Sequence, residues 1–202
     1  MTDLAALFSM YGSDKNTNGY SSLYTTLFWH LRLSPITFLE IGIGTMIPGA
    51  ASSMHGYMPD SYTPGASLRA WRDFFPLGSI HGMDIQEDCM IKEDRITTHL
   101  CNSTDYYATH NWVQERPDLL FDVIIDDASH WETHQLATLI NLWPRVKMGG
   151  FYIIEDVPIG SLISRAPEKV HEIVGDVSIF FSGLKNNLCV IHKVPLQCAR
   201  EY

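Results

Sequence analysis

Two short stretches hold most of the reactive groups in this sequence. Residues 124–130 read Ile-Ile-Asp-Asp-Ala-Ser-His, and residues 153–157 read Ile-Ile-Glu-Asp-Val. Each closes an apolar run with an acidic pair, Asp126 with Asp127 and Glu155 with Asp156. On neighbouring parallel strands these four carboxylates converge at one sheet edge, where they repel unless a cation sits among them. A hard divalent ion such as Mg2+, or Mn2+, suits oxygen ligands of this kind. His130 follows three residues after Asp127, near enough to take a proton from a hydroxyl without being a ligand itself. His130 and His134 are one helical turn apart, but the zinc-protease order requires glutamate directly after the first histidine, and Trp131 stands there.

A third stretch, residues 38–44, reads Phe-Leu-Glu-Ile-Gly-Ile-Gly: a strand running into a glycine turn. Glu40 precedes the turn formed by Gly42, Ile43 and Gly44. A later strand ends at Asp84, followed by Ile85, and a carboxylate at that position can accept both hydroxyls of a ribose. A nicotinamide enzyme needs G-x-G-x-x-G opening into a helix, so that the pyrophosphate rests on the helix N-terminus. The third glycine position here is Ile47, and the chain continues through Pro48. No P-loop lysine follows either. The pattern favours a nucleoside without a pyrophosphate, of which S-adenosylmethionine is the prime candidate.

These groups need a sheet to position them, and the chain supplies its elements in order. Apolar spacing predicts helices over residues 4–10 and 23–33, then a strand over 36–41. Residues 45–65 form a long connection, expected to be a lid or acceptor loop, with Met46, Met54, His55, Tyr57 and Met58 as candidate pocket residues. A helix follows over 66–75, with Ser67 and Arg69 as candidates to face the cofactor. Strands are expected at 79–83 and 96–100, then a helix over 104–115 capped by Ser103 or Thr104. Next come a strand over 121–126, a helix over 131–143 stopped at Pro144, and a Gly149–Gly150 turn into a strand over 151–154. A helix over 167–174 precedes strands over 177–181 and 188–192, close enough to form an antiparallel hairpin. Alternation of this kind specifies an α/β fold with a mostly parallel sheet, ligands gathering at the carboxyl ends of its strands.

At 202 residues the chain reads as one domain, with residues 1–34 as an N-terminal helical segment. A net charge of -9 disfavours nucleic acid and anionic membranes as partners. No apolar run approaches membrane-spanning length and no signal peptide is expected. Cys89, Cys101, Cys189 and Cys198 form no C-x-x-C pair and suit reduced thiols in a cytoplasmic protein. Phe8, Tyr24, Phe28 and Trp29 are compatible with a homo-oligomer interface or with packing over the sheet.

The sequence resembles the metal-dependent macrolide-sugar O-methyltransferases, grouped with cephalosporin hydroxylase-like methyltransferases. The matching segments are residues 11–15 (Tyr-Gly-Ser-Asp-Lys), 38–44, 64–75, 81–84 (His-Gly-Met-Asp), 125–130 and 149–156. The resemblance implies a Rossmann-like class I fold with a seven-stranded sheet and a C-terminal antiparallel hairpin. It implies Mg2+ held by Asp127, Glu155 and Asp156, with His130 as general base. It also implies a cofactor site drawn from Glu40, Gly42, Ile43, Gly44, Ser67, Asp84, Ile85, Asn102, Ser103 and Asp126. The implied reaction is methyl transfer to a hydroxyl of a small glycosyl or polyketide acceptor. A looser likeness to catechol O-methyltransferases implies the same layout, with lysine where His130 stands. Ala128 departs from the family pattern, which has glycine there. The alternatives are a nicotinamide-dependent oxidoreductase and a cofactor-binding accessory protein without catalysis.

Overall fold

The computed structural model describes residues 3–50, 53–175, 177–182 and 187–195; Cys198 lies outside them. The chain divides into two compact units, residues 1–100 and 101–202.

The first unit runs α1 (Leu4–Tyr11), α2 (Tyr20–Phe28), β1 (Thr37–Ile41), α3 (Ala66–Phe74), β2 (Ser79–Asp84), β3 (Lys92–Glu93) and β4 (Ile96–Leu100). β1 pairs in parallel with β2, and β2 with β4, while β3 lies antiparallel at the edge beside β4. The two-residue β3 is a strand that the sequence pattern does not announce, and it makes the described strands eight where seven were expected. Among the buried residues of α3, Ser67, Ala70, Trp71 and Phe74 form an i, i+3, i+4, i+7 stripe, which Ala66 and Leu68 widen at its start. Trp71 is the centre of the core: Phe8, Tyr24 and Phe38 pack on it with ring centroids 5.0, 5.3 and 4.8 Å away. Such aromatic pairs contribute about 0.5–1.5 kcal/mol each beyond their buried area. Phe8, Tyr24 and Phe28 are fully buried here, so these three candidates for an oligomer interface are spent inside the chain; Trp29 stays half exposed.

The second unit runs α4 (Tyr106–Gln114), β5 (Phe121–Asp126), α5 (Glu132–Leu142), β6 (Val146–Ile154), α6 (Leu162–Arg165), α7 (Pro167–Val174), β7 (Val177–Ser182) and β8 (Leu188–Pro195). β5 and β6 are parallel neighbours, with Asp126 level with Ile154, so the two acidic strand ends come together as expected. β8 runs antiparallel to both β6 and β7, which makes the closing hairpin.

Two expectations change in this unit. Asp105, not Ser103 or Thr104, caps α4, accepting from the Ala108 N–H at 3.0 Å. Ser103 is unavailable because its hydroxyl pairs with Thr138 at 3.0 Å, and Thr104 donates to Asn102 Oδ1 at 2.8 Å. As expected, α5 ends before Pro144, at Leu142, and the proline sits in the 3-10 turn that follows, Trp143–Arg145. Gly149 and Gly150 do not precede the strand but lie inside β6, where the register against β5 shifts. Gly149 has φ 80°, and a Cβ at Gly150 would stand 2.7 Å from the Asp122 carbonyl oxygen. The pair is a bulge that only glycine permits.

Candidate active site

The glycine turn at the end of β1 keeps its predicted form. Gly42 and Gly44 have φ 90° and 89°, the left-handed region that other residues avoid. A Cβ on Gly44 would collide with the Tyr62 hydroxyl and approach Met54 Cγ to 3.1 Å. The connection after β1 thus folds back onto the turn, tied also by Met54 N–H to the Thr45 carbonyl at 2.8 Å. The next helix begins only at Ala66, with Ser67 buried in its first turn. The helix does not open directly from the glycine turn as a dinucleotide site requires, although its N-cap, Gly65, folds back to donate to the Ile43 carbonyl at 3.2 Å.

Asp84 braces this turn. One carboxylate oxygen accepts from the Ile43 N–H at 2.8 Å and the other from the Gln86 N–H at 2.9 Å. Each oxygen retains a second lone pair, so the brace leaves ribose hydroxyls acceptable. Ile85 beside it is half exposed. Arg69, a candidate for the cofactor, is instead committed to Glu93 at 2.7 Å and to the Pro64 carbonyl.

Glu40 is fully buried, and its partners were not evident in the sequence. Lys15 Nζ lies 3.0 Å from Glu40 Oε1, and the Trp71 indole N–H donates to Glu40 Oε2 at 3.1 Å. Lys15 is itself only 1% exposed. Gly12, left-handed at φ 75°, ends α1 and starts the turn that carries Lys15 inward.

In the second unit, Asn102 Oδ1 accepts from Thr104, and Ser103 is buried against α5. Asp126 is buried at the tip of β5. Its Oδ1 accepts from the Ala128 N–H at 3.4 Å, and the buried Tyr152 hydroxyl interacts with the carboxyl. Burial pushes the Asp126 carboxyl up to about 7, the Asp127 charge adding to the effect. Burial and the Asp126 charge likewise hold the Tyr152 phenol far above its usual range.

The decisive cluster lies just beyond. Asp127, His130 and Asp156 each offer a ligand atom within 4.8 Å of the others. His130 Nε2 is 3.1 Å from Asp127 Oδ1 and 3.5 Å from Asp156 Oδ2. Two of the three non-glycine residues with positive φ among those described are here, His130 at 56° and Asp156 at 50°. Backbone strain of this kind costs about 1–3 kcal/mol per residue and collects at working sites. Ala128, in place of the family's glycine, is not among them, so its Cβ is no burden. His130 sits in the turn before α5 rather than in the helix, since Trp131 is the residue that precedes the first helical turn. Glu155 lies outside the triad; it is buried, its N–H donating to the Asp126 carbonyl at 2.9 Å.

The two carboxylates of the cluster, Asp127 and Asp156, are the oxygen donors a hard divalent cation prefers, and His130 stands beside them. Without such an ion His130 is itself the counter-charge. Its burial opposes protonation, but the hydrogen bond and charge of Asp127, with Asp156 and Asp126 adding, outweigh this and raise its pKa above 6.5.

No family model matches the chain. Among curated proteins it is 37% identical over 158 residues to 8-demethyl-8-(2-methoxy-alpha-L-rhamnosyl)-tetracenomycin-C 3'-O-methyltransferase of Streptomyces olivaceus, a match covering 77% of this chain and 37% of that one. It is 34% identical to demethylmacrocin O-methyltransferase of Streptomyces fradiae, covering 77% and 36%. Over the segment it shares with them, the chain is similar to this group of O-methyltransferases. It therefore spans about a third of the length of the curated O-methyltransferases it matches. Among solved structures, MycE methyltransferase of the mycinamycin pathway, in complex with Mg, SAH and mycinamycin VI, aligns with TM-score 0.76 and 26% identity. That match covers 96% of this chain and 55% of MycE. A caffeoyl-CoA O-methyltransferase-like protein from Staphylococcus aureus, at 13% identity and TM-score 0.60, shares the fold alone. The architecture is the Rossmann-like class I methyltransferase fold, with mixed, mostly parallel strands and a C-terminal antiparallel hairpin.

Proposed function

We propose that this chain transfers a methyl group from S-adenosylmethionine to a hydroxyl of a small natural-product acceptor, glycosyl or polyketide, in a Mg2+-dependent reaction. The observation that carries the reading is the Asp127–His130–Asp156 triad beyond the ends of β5 and β6. In this reading Asp127, Glu155 and Asp156 hold the cation. A divalent ion bound there supplies Lewis-acid stabilisation of charge developing on the acceptor oxygen. His130 is the base. With its Nε2–H directed at Asp127, the lone pair lies on Nδ1, which takes the hydroxyl proton, and the two aspartates stabilise the imidazolium that results. The acceptor oxygen forms the new bond to carbon as the carbon–sulfur bond breaks, its electron pair returning to sulfur.

For the cofactor the reading assigns Glu40, Gly42, Ile43, Gly44, Ser67, Asp84 and Ile85 of the first unit. From the second unit it assigns Asn102, Ser103 and Asp126. The single domain over 1–202, with 45–65 as its acceptor loop, belongs to the same proposal. So does a cytoplasmic location, supported by the free buried thiols of Cys89, Cys101 and Cys189. No described helix is long and apolar enough to cross a membrane.

The test is calorimetric titration with S-adenosylhomocysteine (SAH), with Mg2+ and again in EDTA, beside turnover of glycosylated acceptors. Binding should survive chelation while turnover falls at least ~100-fold, the scale on which lost electrostatic stabilisation acts. Turnover indifferent to EDTA would remove the metal; binding of NAD in place of SAH would turn the assignment to an oxidoreductase. SAH binding without turnover of any acceptor would favour the accessory reading. Asp84→Asn should weaken SAH about tenfold, the loss of a hydrogen bond to a charged group. Unchanged affinity would take Asp84 out of the ribose role and leave it as the brace of the glycine turn.

A further inference from the structure

The carboxylates of a metal centre work only if their backbone holds still, and the loop bearing Glu155 and Asp156 is gripped from one side. Gln135 lies on α5, is 3% exposed, and donates from Nε2 to the Glu155 carbonyl at 3.0 Å. That carbonyl immediately precedes Asp156, whose φ of 50° no side chain adopts cheaply. Three residues earlier on α5, Glu132 Oε1 accepts from the Leu162 N–H and, at 3.3 Å, from the Ile163 N–H. Positions i and i+3 share a helix face. One face of α5 therefore holds both the start of the loop, at Glu155, and its end, at Leu162. Between these points Val157 N–H donates to the Asn187 carbonyl at 2.9 Å.

We propose that Glu132 and Gln135 form a two-point clamp that sets the Glu155–Asp156 backbone, and with it the affinity of the centre for a divalent cation. Both are positioning residues, and the inference rests on the metal reading above. Gln135 otherwise occupies a costly place: it falls on the buried stripe of α5 with Thr138, Leu139 and Leu142, and its Oε1 is without a partner among the described residues. A leucine would fill that position without burying an unmatched amide. The amide donor does what leucine cannot, which is to hold a strained carbonyl in place. The same helix follows directly on the turn bearing His130, so one element positions the base and the carboxylate loop together.

The experiment measures Mn2+ affinity by electron paramagnetic resonance of the free ion, and SAH affinity by calorimetry, on the full chain. The variants are Gln135→Leu, Glu132→Ala and Glu132→Gln. Outer-shell groups of metal sites are worth about 10–100-fold in affinity. Gln135→Leu and Glu132→Ala should each weaken Mn2+ by about tenfold with SAH affinity within about twofold. Glu132→Gln, which retains an acceptor oxygen, should bind Mn2+ close to the wild type. Glu132 is at the surface end of the clamp, so its variants test the idea even where Gln135→Leu fails to fold. Wild-type Mn2+ affinity in Glu132→Ala overturns the clamp, as does a parallel loss of Mn2+ and SAH. A wild-type chain that binds SAH but no Mn2+ overturns the metal reading itself, and the clamp with it.

Discussion

His130→Ala is expected to lower kcat by about 10²- to 10⁴-fold, the usual worth of a positioned general base, while SAH affinity stays within about twofold. The imidazole is the titratable base among the three triad groups, and it faces two carboxylates at 3.1 and 3.5 Å. Those carboxylates favour its protonated form, so in metal-free protein His130 should titrate above pH 6.5. The sign follows for stability. A histidine whose folded pKa is raised stabilises the fold fully below the unfolded value and loses that contribution as pH rises through the folded one. A divalent cation adds positive charge beside the ring and opposes the same carboxylates, so Mg2+ should lower the His130 pKa. Proton NMR of the imidazole with and without Mg2+ measures this directly, and the acid limb of kcat/KM reports the same group. A His130→Ala variant with wild-type turnover would remove the base from the mechanism. An imidazole pKa unmoved by Mg2+ would separate it from the metal.

Lys15→Met should destabilise the chain by about 3–5 kcal/mol, the cost of leaving one charge of a buried pair behind. Lys15 and Glu40 bury nearly all of their side chains, and the pair stands at the edge of the aromatic core around Trp71. Methionine matches the lysine stem in volume but does not answer the Glu40 carboxylate. Adding Glu40→Gln to Lys15→Met should recover most of the loss, because the amide can still accept from the Trp71 indole while carrying no charge. Urea unfolding of the three proteins measures both steps. A loss under about 1 kcal/mol in Lys15→Met would mean that the pair contributes no more than one at the surface. SAH titration of the double variant then shows what Glu40 adds to the cofactor, separately from what it does for the fold.

Much of this molecule follows from the order of residues along the chain. Apolar runs of strand length separated by amphipathic helical stretches determined an α/β fold, because burial of each face demands those periods. The acidic pairs at 126–127 and 155–156 and the glycines at 42 and 44 were legible because each stands directly after such a run, where a parallel sheet places its ligand sites. Other features depended on contacts between residues far apart in sequence. Nothing local tells that Lys15 meets Glu40, that the oxygens of Asp84 are taken by the Ile43 and Gln86 N–H groups, or that Gln135 reaches the Glu155 carbonyl. The one local sign of Gln135 was an amide on the apolar stripe of α5. Nor does composition reveal that His130 and Asp156 take left-handed backbone conformations, or that Gly149 and Gly150 form a bulge inside β6 rather than a turn before it. The periods of burial are written residue by residue, whereas strained dihedrals and buried pairings persist only where the surrounding packing over-determines them, and that decision belongs to the tertiary structure.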